Sequence, residues 1–76
     1  MTANEKIIAL VNPEYLEKIP EMFRKHATEG TCNLIAREHS ALYAAFEGDP
    51  SAADKEEMTK LVNEIFEQRL KKHKFL

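Results

Sequence analysis

The stretch DKEEMTKLVNEIFEQRLKK, residues 54–72, decides the fold class of this chain. Its large apolar side chains recur at spacings of three and four residues, at Met58, Leu61, Val62, Ile65, Phe66 and Leu70. Because an α-helix turns once every 3.6 residues, this spacing places all six side chains on one face. Acidic residues lie near the beginning of the stretch and basic residues near its end, an order that the helix dipole favours. The pattern predicts a long amphipathic C-terminal helix.

The N-terminal residues predict two short helices. Thr2 and Glu5 have the spacing of a capping box, in which each side chain bonds the backbone N–H of the other residue. A first helix is therefore expected over residues 3–11. Asn12 followed by Pro13 is typical of an N-cap and the first residue of a second helix.

Prolines mark two further helix boundaries. Pro20 has no N–H to bond the preceding turn, and it disfavours helical geometry in the residue before it. We therefore expect the second helix to end at Lys18, then a kink or break, then a helix to about Thr28. Asp49 and Pro50 are expected to begin the C-terminal helix as its N-cap and first residue.

The middle of the chain predicts an apolar central helix. Gly30 is expected to end one helix, and Thr31 to cap a third helix that runs to Phe46. Residues 41–46 carry no charge, which is typical of a helix covered on every side. We predict an all-α fold: a small bundle of four to five helices, with the long C-terminal helix packed on this central helix.

The composition limits the classes of protein that this chain fits. Its 76 residues support one domain, spanning 1–76. Cys32 is its sole cysteine, so no intramolecular disulfide is expected, and a reducing, cytoplasmic compartment is favoured. The net charge of −2 lacks the basic excess of general nucleic-acid binders. No apolar run approaches the ~20 residues that a membrane-spanning helix needs, so no membrane is expected.

Candidate reactive residues form no recognisable catalytic or metal-binding pattern. The spacing of His26, Cys32 and His39 matches no zinc motif, and a second cysteine is lacking. We expect His39 to be a hydrogen-bonded histidine at the core edge, and Cys32 to be a small buried side chain rather than a reactive thiol. No catalytic residue, metal or cofactor is predicted, and an enzyme is not expected.

The sequence favours binding as the function. We expect a non-catalytic protein–protein interaction or adaptor domain that has a protein partner or forms a homodimer, because so short a chain has little with which to cover its apolar helices. Two alternatives remain: a nucleic-acid-associated regulator that uses the basic C-terminus, and a metal or thiol sensor. The candidate interaction residues are Tyr43, Phe46, Arg69, Lys71, Lys72, Lys74 and Phe75.

Overall fold

The computed structural model describes residues 2–73, which form five helices and no strand. The predicted all-α bundle is confirmed. None of the described helices is both long and apolar enough to cross a membrane. In chain order the helices are α1 (Ala3–Ile8), α2 (Pro13–Lys18), α3 (Glu21–Glu38), α4 (Ser40–Glu47) and α5 (Ala52–Lys72).

The core is built around α5, which contacts each of the other four helices. Its buried side chains follow one another at every fourth residue, at Met58, Val62, Phe66 and Leu70. Complete burial of a side chain of this size stabilises the fold by roughly 1.5–3 kcal/mol. The buried apolar residues that the rest of the chain contributes to this core are Ile7, Val11, Ile19, Cys32, Ile35 and Phe46.

Both N-terminal helices begin as the sequence predicts. The Thr2 hydroxyl accepts a hydrogen bond from the Glu5 N–H at 3.1 Å, and the Glu5 carboxylate accepts one from the Thr2 N–H at 3.1 Å. Hydrogen bonding of the Glu5 carboxylate by the Thr2 backbone N–H and the Thr2 side chain lowers the pKa of Glu5, because it favours the charged form. Helix α1 ends at Ile8, earlier than expected, and the chain then turns towards Asn12, which caps α2 through the Glu14 N–H.

Pro20 separates two helices rather than kinking one. Ile19 and Pro20 both have extended backbone, with ψ angles of 126° and 137°. Arg24 closes the end of α2: its Nε donates to the carbonyl oxygens of Leu16 and Ile19 at 2.8 and 3.1 Å. The Leu16 carbonyl also accepts from the Ile19 N–H at 3.2 Å, so Arg24 adds a second bond there and joins α3 to the end of α2.

Two of the predicted boundaries in the middle of the chain are wrong. Gly30 does not end a helix, and Thr31 does not cap one, because α3 continues through both. A glycine inside a helix costs about 1 kcal/mol relative to alanine. Burial of Cys32 and Ile35 on the same helix outweighs that cost. Thr31 is buried, and its hydroxyl has no hydrogen-bond partner in the described part of the chain.

The helix expected to reach Phe46 is instead divided at His39, whose φ and ψ angles are −130° and 51°. The division lets α4 turn so that Phe46 is buried while Ala41 and Ala44 face solvent. The prediction that residues 41–46 are covered on every side is therefore wrong. Gly48 is the C-cap of α4.

The C-terminal helix begins later than Asp49 and Pro50 suggested. Ser51 is its N-cap: the Ser51 hydroxyl accepts from the Asp54 N–H, and the Asp54 carboxylate accepts from the Ser51 N–H, both at 3.1 Å. The capping box determines where α5 begins, because it satisfies two backbone donors, whereas a proline at the first position satisfies none.

Asn63 joins α5 to the turn between α1 and α2. Its Nδ2 donates to the carbonyl oxygens of Leu10 and Thr59 at 2.9 and 2.7 Å. Its Oδ1 accepts from the backbone N–H of Asn12 at 2.6 Å. One side chain thus fixes the position where the chain reverses before α2.

Substitution Asn63→Asp tests this connection. The carboxylate still accepts from the Asn12 N–H, but it cannot donate to Leu10, and its charge faces two carbonyl oxygens. We expect a loss of about 1–2 kcal/mol in the free energy of unfolding, measured by urea denaturation at pH 7. Asn33→Asp, the same change at an exposed position of α3, is the matched control. Equal stability of the two variants would contradict the assigned role of Asn63.

Candidate functional site

Two large apolar side chains at the beginning of α3 are exposed. Met22 is 82% exposed and Phe23 is 52% exposed, whereas Phe46 and Phe66 are each 1% exposed. No described residue covers either side chain fully. An exposed apolar patch of this kind is typical of a binding surface.

Phe23 borders an apolar groove of about 430 Å³ between α3 and α5. Helix α3 forms one wall, and α5 with its C-cap residue His73 forms the other; each wall has four residues at the spacing i, i+3, i+4 and i+7. This spacing presents one continuous helix face over two turns. Ile19 lies at the end of the groove near the α2–α3 junction. The residues of the two walls are Phe23, His26, Ala27 and Gly30, and Phe66, Arg69, Leu70 and His73.

Arg69 gives the groove a positive charge. A Cβ atom built at Gly30 would lie 3.3 Å from Nη1 of Arg69, so the guanidinium lies close against α3 at this glycine. None of the described residues that line the groove is acidic. The groove therefore combines an apolar surface with a cation at its side.

The other predicted basic residues lie outside the groove lining. Lys71 pairs with Glu67 at 3.0 Å, on the exposed surface of α5. Lys72 is exposed in the last turn of α5. Lys74 and Phe75 lie outside the described residues. Of the predicted interaction residues, Arg69 is thus the one that the structure places in the groove.

The two aromatic residues predicted for interaction have internal contacts. Phe46 packs in the core, so its selection as a contact residue does not fit this fold. Tyr43 is half-buried, and its hydroxyl donates to Oδ1 of Asn4 at 2.7 Å, which joins α4 to α1. Burial, together with the nearby Cys32 and Glu47, raises the pKa of Tyr43.

The candidate reactive residues are not brought together. Cys32 is buried, and burial raises the pKa of its thiol, which disfavours the nucleophilic thiolate. His26 lines the groove. His39 is exposed at the α3–α4 division, so its predicted position at the core edge is wrong. The described residues contain no group of three histidine, cysteine or acidic side chains placed to hold a metal ion.

Sequence reasoning missed the groove although part of its signal is visible. Phe23 and Ala27 in α3, and Phe66 and Leu70 in α5, have the same four-residue spacing. That spacing identifies an apolar face of each helix but not whether another element covers it. Because a helix end was expected at Gly30, the sequence did not predict that α3 forms one continuous wall of the groove.

No protein-family model matches this chain, and comparisons with curated proteins and with solved structures gave no significant match.

Gly30→Ala tests the position of Arg69. Alanine favours a helix interior by about 1 kcal/mol over glycine, and the flexible guanidinium needs to move by only a few tenths of an ångström. We expect the substitution to raise the free energy of unfolding by under about 1 kcal/mol. The gain should be larger in an Arg69→Ala background, where the contact is removed; urea denaturation of the four proteins measures both. Destabilisation in both backgrounds would show that another group occupies this space.

Proposed function

We propose that this protein is a non-catalytic protein-binding domain whose contact surface is the groove between α3 and α5. One observation carries the proposal: Phe23 is exposed beside an apolar groove. The large apolar side chains of the core are buried. Aromatic side chains next to an apolar pocket contribute strongly to binding energy in protein interfaces. The sequence-based expectation of an interaction or adaptor role is retained, and the proposed contact surface is the groove, which includes Arg69 of the residues predicted for interaction.

A protein is favoured over a small molecule because the apolar surface extends outside the groove. Met22 lies next to Phe23 in sequence and is more exposed. A small ligand is normally enclosed by its pocket over most of its surface, and it would leave Met22 uncovered. Methionine adapts its shape to different neighbours, which suits a protein contact.

The two alternative functions have weaker support. For a nucleic-acid-associated regulator, the described basic residues of the last turn are partly engaged, because Lys71 pairs with Glu67. For a thiol sensor, Cys32 is buried with a raised pKa. A homodimer and a cytoplasmic location stay predictions from the sequence.

Binding of a purified partner to groove variants tests the proposal. Partners that co-purify with the full chain are identified, produced separately and titrated against it. We expect Phe23→Ser to weaken binding at least tenfold, because it removes a large apolar contact. Phe23 is half-exposed, so the variant should fold, which circular dichroism verifies. Ala44→Ser, an exposed change on α4, should bind normally. Equal affinity of both variants would overturn the groove as the contact surface.

A further inference from the structure

We propose that the groove binds one α-helix of a different protein, with an apolar stripe flanked by acidic residues. The inference rests on the proposed function and names the chemical class of the partner. It follows from the shape of the groove, from the charge of Arg69 and from the poor fit of a second copy of this chain.

The walls have the shape that a third helix requires. Each wall is one helix face over a seven-residue span, and the helical rise of 1.5 Å per residue gives it a length of about 10 Å. Phe66 and Leu70 of α5 are 1% and 2% exposed and contribute the buried apolar side of the groove, whereas Phe23 of α3 is 52% exposed beside it. An amphipathic helix placed between two such faces buries residues at i, i+3 or i+4, and i+7, which is the usual helix-in-groove arrangement.

The charge of the groove selects acidic residues beside that stripe. Arg69 forms no ion pair with another described residue. Gly30 has no side chain, and this leaves room for the guanidinium between α3 and α5. A carboxylate of the partner can accept two parallel hydrogen bonds from a guanidinium, which strengthens binding and fixes orientation. A basic helix would meet repulsion at the same place.

A second copy of this chain fits the groove poorly. The α5 helix of a second copy cannot enter the groove as the inserted helix, because its own apolar stripe packs in the core of that copy. A two-fold pairing of groove with groove would bring the Arg69 side chains of both copies into one interface without an acidic residue in either lining. The charge therefore favours a partner of different sequence.

Selection from a peptide library tests the inference. The full chain is immobilised and exposed to helix-constrained 16-residue peptides with random surface positions. We expect selected peptides to share apolar residues at i, i+3 or i+4, and i+7, with aspartate or glutamate beside them. Their affinity should fall at least tenfold with Phe23→Ser and roughly fivefold with Arg69→Gln, and should be unchanged with Ala44→Ser. Raising the salt concentration should weaken binding to the unaltered chain more than to Arg69→Gln.

Each contrary outcome has a separate meaning. Selected peptides that depend on Phe23 but are neutral or basic would overturn the acidic helix and leave the proposed function standing. Failure to select any peptide that depends on Phe23 would overturn the helical partner, whereas the proposed function is overturned separately, by equal affinity of a co-purified partner for Phe23→Ser and Ala44→Ser. Light scattering distinguishes self-association: a mass that doubles with concentration in the unaltered chain but not in Phe23→Ser would show that a second copy occupies the groove, which also overturns the inference.

Discussion

The fold depends on the burial of every fourth residue along α5. Met58, Val62, Phe66 and Leu70 form a continuous stripe, and each of the other helices contacts the helix that carries it. A chain of 76 residues buries a smaller fraction of its surface than a larger domain does. Packing all the other helices against one helix lets such a short chain form a single core. The remaining helices are arranged by the part of α5 that each one covers.

The groove is a consequence of this arrangement. Pro20 separates α2 from α3. Arg24 of α3 stabilises this junction by donating hydrogen bonds to the carbonyl oxygens at the end of α2. The first turns of α3 therefore extend beside the end of α5 without another described helix over them. Phe23 and Met22 remain exposed at that place, while Ile19 is buried beneath it. The same boundaries that stabilise the bundle leave the proposed binding surface open.

The sequence predicts the features that depend on residues close together in the chain. It does not predict the features that depend on packing between distant residues. The capping box of Thr2, the break at Pro20 and the amphipathic C-terminal helix follow from local hydrogen bonds and helical spacing. The division at His39 has no glycine or proline to mark it, and packing of α4 against α1 decides it. The exposure of Phe23 was equally hidden, because periodicity gives the apolar face of a helix but not its neighbours.

The first turn of α3 is uncovered in the free protein. Hydroxyl-radical footprinting of the dilute full chain, read by mass spectrometry, measures this directly, with one methionine at the proposed surface and another in the core. Met22 is 82% exposed and Met58 is 0% exposed. We expect Met22 and Phe23 to be oxidised rapidly while Met58 is protected. Protection of Met22 and Phe23 to the level of Met58 would show that this surface is already covered, and would contradict the account.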